Sequence, residues 1–228
     1  MFRPDPSDRP SLLSPSGEAD KGASVPDSPS LSNPDDRAAA RGVAATDGAR
    51  VALDDVAIRR ALVRIAHEVV ERNEPIEDLY LVAIPNGGVP LARAIAAQVK
   101  EISGIDLPVG ILDTTLYRDD LVARGERPPL RKTEMPSAVD DRIVILVDDV
   151  VSTGRTIRAA MDALMDFGRP RGVQVVGLVD RGHRELPIRI DYVGKNIPTQ
   201  REERVILRGA SGDLEGQLEV VVHEGASA

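Results

Sequence analysis

The stretch Ile143-Val144-Ile145-Leu146-Val147-Asp148-Asp149-Val150-Val151-Ser152-Thr153-Gly154-Arg155-Thr156 decides the fold. An unbroken aliphatic run of this kind predicts a strand buried on both faces, as in a parallel sheet. Two carboxylates end the run, a hydroxyl- and glycine-bearing turn follows, and then a helical pattern begins. Asp148 and Asp149 stand at the carboxyl end of the strand, where open α/β sheets bind ligands. The turn offers backbone N–H groups and the hydroxyls of Ser152, Thr153 and Thr156 to an anion. The following helix points its positive end at the same place. Phosphate donors beside an acid pair suit a phosphorylated sugar: the N–H groups hold the phosphate and the acids accept from ribose hydroxyls.

In hydrophobicity, acids, turn and order, the stretch resembles the phosphoribosyl-pyrophosphate (PRPP) motif of type I phosphoribosyltransferases. Two other readings stand beside it. Asp-Asp after a strand also occurs in response-regulator receiver domains, there near the domain start and without the Thr-Gly-Arg-Thr turn. Asp149 can also serve only as a helix cap.

The surroundings narrow the class. The 228 residues suffice for one sizeable domain plus tails. Cys is absent, which excludes disulfides and Cys-based metal sites. No apolar stretch is long enough to span a bilayer, and the N-terminus lacks a signal-peptide core, so a cytoplasmic protein is expected. A formal charge of -8 argues against nucleic-acid binding through bulk charge. Any such site has to be a local basic patch. With 2% aromatics and no Trp, base-stacking platforms are not expected.

Residues 1–50, rich in Pro, Ser, Asp, Gly and Ala without a sustained apolar period, read as a disordered extension. The domain is expected over 51–224, with 225–228 as a tail. Asp54 or Asp55 caps a first helix, whose Ile58, Leu62, Ile65 and Val69 make a core face. Arg60, Arg64, His67 and Glu71 follow the same spacing on the opposite face. Leu79 to Ile84 reads as a strand, Pro85-Asn86-Gly87-Gly88 as a turn able to hold an anion with backbone N–H groups, and Val89-Pro90 as the opening of a helix. Val109 to Leu112 is a short strand. Leu121 to Pro136, with Arg124, Arg127, Arg131 and Lys132, reads as a long basic loop of the kind that covers active sites. Thr156 to Phe167 is helical, with Ile157, Met161, Leu164 and Met165 inward. Val173 to Val179 is a buried strand, and Val205 to Arg208 and Leu218 to His223 are two edge strands. Strands alternating with helices predict an α/β doubly wound sheet.

The resemblance becomes closer over the whole of 51–224. Ala57 to Leu62, Arg64 to Glu68, Thr115 to Leu121, Leu178 to Arg189 and Asp191 to Thr199 are similar to segments of the PyrR family. These are bifunctional pyrimidine-operon attenuators and uracil phosphoribosyltransferases. The resemblance implies a type I phosphoribosyltransferase fold, a mostly parallel sheet flanked by helices with a small C-terminal hood. It implies conversion of uracil and PRPP to UMP and pyrophosphate with Mg²⁺. It implies binding of operon leader RNA in the presence of UMP or UTP, and a homodimer or higher homo-oligomer.

By resemblance, Asp148 and Asp149 hold the ribose hydroxyls, and Val150, Val151, Ser152, Thr153, Gly154, Arg155 and Thr156 hold the 5-phosphate. Arg118 and the loop after it cover the leaving group, and Asn86, Gly87 and Gly88 form the pyrophosphate loop. Val179, Asp180, Arg181 and Gly182 lie where the hood reads uracil. Arg64, His67, Arg184, Arg189 and Lys195 match RNA-contacting positions, with Arg60 on the same helix face. Mg²⁺ is expected to arrive with PRPP, and no side-chain metal ligand is singled out. Each basic residue taken singly can also be paired with a neighbouring acid, as Arg184 with Glu185.

Three departures stand out. Family members usually carry Lys-Thr-Arg-Gly where this chain has Pro85-Asn86-Gly87-Gly88, so both basic side chains are gone. Restoring Arg at position 87 is expected to raise turnover if that loop is the defect. Val63 replaces a common Thr on the RNA-facing helix, and Val151-Ser152 replaces a common Leu-Tyr.

Overall fold

The structure, a computed structural model, describes residues 49–85, 87–120, 129–209 and 216–225. In chain order its elements are β1 (Ala49–Leu53), α1 (Asp55–Arg72), β2 (Leu79–Ala83), α2 (Gly88–Ser103), β3 (Val109–Ile111), β4 (Ile143–Val151), α3 (Arg155–Met165), β5 (Gly172–Asp180), β6 (Tyr192–Asn196), β7 (Arg204–Arg208) and β8 (Glu219–His223). Short 3-10 turns occupy Ile76–Asp78 and Thr115–Tyr117.

The aliphatic run becomes the middle strand of a five-stranded parallel sheet, ordered β3-β2-β4-β5-β6. Alternation along a strand sends neighbours to opposite faces. Ile145 and Val147 of β4 join one core with Ile58, Leu62, Ile65 and Val69 of α1 and Leu91, Ile95 and Val99 of α2. Val144 and Leu146 join a second core with Ile157, Ala160 and Leu164 of α3. The sheet is therefore covered on both faces, which is what its continuous hydrophobicity requires.

Asp54 caps α1, its carboxylate accepting from Ala57 N at 2.8 Å. Asp55 instead pairs with Arg59 at 2.7 Å and accepts from Leu218 N at 3.1 Å, tying the helix start to the C-terminal segment. Gly104 ends α2 in the left-handed conformation, φ 78°, the usual glycine stop.

Several expectations are corrected. β7 and β8 are not edges of the main sheet. They form a separate antiparallel sheet ordered β1-β8-β7, with β8 in its middle. Its third strand, β1, pairs Ala49 with His223 and Val51 with Val221, so a strand begins inside the expected extension. Leu207, Val220 and Val222 pack into the same core as α1. Tyr192 to Asn196 forms an outer strand of the main sheet. Met165 is 51% exposed because it lies past the buried face of α3, which Ala159, Ala160 and Ala163 complete instead. Of the long basic loop, 121–128 lies outside the described residues. Glu134 exchanges two backbone bonds of 2.7 Å with Ile111, so the later part of that loop runs along β3.

Candidate functional site

At the end of β4 the chain places two carboxylates side by side. Asp148 is 6% exposed and accepts from Asp149 N at 3.0 Å. Asp149 accepts from Val150 N at 2.9 Å. Burial pushes both carboxyls above the ordinary carboxylate range, and the neighbouring Asp149 charge raises Asp148 further. Arg118 opposes that shift at Asp148. Two acids held so close favour a ligand that brings hydroxyl donors or positive charge.

The turn after them is built for an anion. Gly154, at φ 90°, reverses the chain into α3, a conformation that a side chain disfavours. Its carbonyl accepts from Arg158 N at 2.9 Å, and the first N–H groups of the helix face the turn. A cavity of about 840 Å³ opens here. Asp148, Asp149, Val150, Val151, Ser152, Thr153, Gly154 and Thr156 border it, with Arg118 and Pro85 at one side and the hood residues Arg181, His183, Arg201 and Arg204 at another.

Arg155 is the exception in the turn. It does not border the cavity: its guanidinium is held between Asp119 at 2.8 Å and Glu185 at 2.7 Å. Arg118 grips both oxygens of Asp120, at 2.9 and 2.7 Å, while it faces the cavity. Among the described residues of the glycine loop only Pro85 borders the cavity, while Gly88 donates to Ile84 O at 3.1 Å. Asn86 lies outside the described residues.

The segment after β5 carries the second half of the site. Arg181 donates to Thr199 Oγ1, Gln200 O and Glu203 O at 2.9, 3.1 and 2.7 Å, and burial lowers its pKa. His183, at φ 57°, sets Nε2 2.7 Å from Thr199 O. Both side chains thus clasp the hood. Sequence reasoning placed Val179, Asp180, Arg181 and Gly182 at the base. Of these, Arg181 alone borders the cavity. Val179 is buried in β5, and Asp180 and Gly182 border a second hollow. His183, Arg201 and Arg204 were missed. Residues 181, 183 and 185 border the cavity, and 180, 182 and 184 border the hollow behind it, although Gly182 and His183 both take the left-handed conformation, φ 75° and 57°.

That hollow, a groove of about 590 Å³, is bordered by Arg64, Arg184 and Arg189 together with Glu68, Asp180 and Asp191. Three of the five RNA candidates therefore meet. His67 and Lys195 are exposed and border neither space. Arg64 pairs with Glu68 at 2.6 Å and donates to Val193 O and Gly194 O at 2.8 and 2.7 Å. Arg184 pairs with Asp180 at 2.8 Å, not with Glu185, and donates to Ile188 O, Gly182 O and Ser152 O. Arg189 is exposed in the groove.

A metal ion finds few side-chain ligands here. Among the described residues no group of three His, Cys, Asp or Glu side chains converges to hold one. The acid pair fits a hard cation whose other ligands are oxygens of a bound substrate. No helix among the described residues is long and apolar enough to cross a membrane.

Comparison with known proteins agrees with this geometry. The phosphoribosyl transferase domain family matches residues 52–206. The Bifunctional protein PyrR of Pelotomaculum thermopropionicum is 55% identical over 174 residues, 76% of this chain and 95% of that protein. The Bifunctional protein PyrR of Deinococcus radiodurans is 57% identical over 148 residues, 65% of this chain and 81% of that protein. Among solved structures, the hypoxanthine phosphoribosyltransferase of Trypanosoma cruzi superposes with a TM-score of 0.56 at 16% identity, covering 75% of this chain and 95% of that one. That of Staphylococcus aureus gives 0.57 at 18%, covering 78% and 93%. At such identities the structural likeness establishes the fold alone.

Proposed function

The chain belongs to the phosphoribosyl transferase domain family and, within it, to the PyrR proteins, and we propose that it converts uracil and PRPP to UMP and pyrophosphate and regulates pyrimidine operon expression by binding leader RNA when a uridine nucleotide is present. The observation that carries the reading is the acid pair, Asp148 buried and Asp149 half-buried, beside the Ser152–Thr156 turn in one cavity.

Each part has a task in this reading. Asp148 and Asp149 accept from the ribose hydroxyls. The N–H groups from Thr153 onward and the hydroxyls of Ser152, Thr153 and Thr156 hold the 5-phosphate. The bond from the ribose carbon to pyrophosphate breaks, leaving oxocarbenium-like charge on that carbon, and uracil N1 bonds to it as the N1 proton passes to the departing pyrophosphate or to water. Alignment of the two reactants is the larger contribution of the protein. Arg118 lies beside the acid pair and meets leaving-group charge. Mg²⁺ fits beside Asp148 and Asp149 and, when bound with PRPP, supplies positive charge to the departing pyrophosphate. Arg181 and His183 hold the hood over the base. Arg189, Arg64 and Arg184 give the groove its basic face for RNA backbone. The working unit spans 51–224, with β1 adding Ala49 and Arg50, and acts in the cytoplasm as a homo-oligomer.

Purified protein with PRPP, Mg²⁺ and labelled uracil should form UMP. Asp149→Asn should lower turnover by at least 100-fold, on the order of 3 kcal/mol of transition-state stabilisation. Full turnover in that variant rejects the assignment. A second reading, a nucleotide-sensing RNA-binding regulator with little or no catalysis, is favoured by the absence of any cationic side chain from Pro85-Asn86-Gly87-Gly88. UMP binding without turnover selects it.

A further inference from the structure

We infer that Gly87 is a positioning residue for Asp149: the loop keeps glycine there because its backbone is seated against that side chain. The inference rests on the reading of Asp148 and Asp149 as the ribose-binding pair. Gly87 has φ -70° and ψ -24°, a right-handed conformation open to any residue. Backbone freedom is therefore not what glycine supplies. Space is. A Cβ on Gly87 would lie 2.1 Å from Asp149 Oδ2, 2.4 Å from its Cγ and 2.6 Å from its Cβ. Rotating the carboxylate away does not move Asp149 Cβ, so a side chain at 87 displaces either the acid or the loop.

The acid is fixed on the central strand. Asp149 Oδ1 accepts from Val150 N at 2.9 Å, and β4 is paired to β2 on one side and to β5 on the other. The next residue is as close: a Cβ on Gly88 would lie 2.3 Å from Val147 O. Two successive glycines thus rest on the last residues of β4, and the loop and the acid pair form one packed unit. The basic side chain missing at position 87 is for this reason not a simple loss. Arg placed there pushes on Asp149 and offers it a guanidinium partner, which takes the carboxylate from the ribose.

The test uses the full chain and four proteins: wild type, Gly87→Ala, Asp149→Gly and the double variant. UMP affinity is read by calorimetry and the thermal midpoint without ligand. Gly87→Ala should weaken UMP at least tenfold and lower the midpoint. In the Asp149→Gly background, where the colliding side chain is gone, the same change should cost UMP less than threefold and leave the midpoint unmoved. Gly87→Arg should lower turnover at least tenfold. The inference is overturned if Gly87→Ala binds UMP like the wild type, if the two losses multiply in the double variant, or if Gly87→Arg turns over faster. Should Gly87→Ala alone fail to fold, recovery in the double variant supports the inference and continued failure overturns it. A wild type that binds no UMP refutes the functional reading instead, and the ligand-free midpoints still report the contact between 87 and 149.

Discussion

The cavity and the groove are separated by one short segment, 180–185, yet they treat charge in opposite ways. On the cavity side Asp148, buried, and Asp149, half-buried, stand close, and both resist ionisation. On the groove side Arg64 and Arg184 are already satisfied by Glu68, Asp180 and backbone carbonyls. The cavity stores electrostatic strain that a ligand relieves; the groove is a braced surface. Strain kept at a site and compensated elsewhere is a common arrangement for function. Here the brace lies on the far side of the same six residues.

Arg184→Ala should break the comparison most severely. Its guanidinium joins Asp180 on the groove side to Ser152 O in the phosphate turn. Losing a charged group with several partners leaves Asp180 with the Gly182 N–H but no cation, at a cost of about 2 kcal/mol. For a domain of this size the thermal midpoint should fall by about 4–8 °C. UMP and leader-RNA affinity should fall together, each about tenfold or more. A variant that loses RNA while UMP binding stays at the wild-type value would show that the wall does not connect the two spaces.

Arg189→Ala sharpens the comparison. Arg189 borders the groove, is exposed, and is not part of the brace. RNA affinity should fall about tenfold, with the slope of log affinity against log salt reduced by about 0.7–0.9, one phosphate contact fewer. UMP affinity and the thermal midpoint should not change. A loss of UMP affinity here would mean that the two spaces share more than their wall.

Much of this arrangement was legible because it is local in sequence. The aliphatic run, the acid pair and the Ser152–Thr156 turn are contiguous, and strand burial follows from hydrophobicity alone. The helix stripe of Ile58, Leu62, Ile65 and Val69 was legible for the same reason. Two strands of the hood, read as Val205 to Arg208 and Leu218 to His223, were legible too, but β1 was not: it pairs with β8 far along the chain, and a five-residue strand carries little signal without its partner. Arg155 sits inside a phosphate-binding pattern, but as the first residue of α3 its side chain leaves the turn toward Asp119 and Glu185. The division of labour along 180–185 was not legible, because it passes through two left-handed residues, Gly182 and His183, that no strand period describes.

Asp148→Asn tests the strain itself. In the folded protein Asp148 keeps its proton to a pH at which the unfolded chain, with an ordinary value near 3.8, has lost it. Between those two values the folded state binds more protons than the unfolded one, so stability falls as pH rises through the window. Above the window the wild type carries the full penalty. Asparagine keeps the shape and cannot ionise. The variant should therefore be more stable than the wild type at neutral pH. Its stability should also change less as pH rises above the ordinary carboxylate value, while turnover is lost. Chemical denaturation at several pH values, with a chelator present, reads this directly. Equal stability of the two proteins at pH 7 would mean that the cavity holds its acid pair without strain, and the contrast with the groove would then rest on the ion pairs alone.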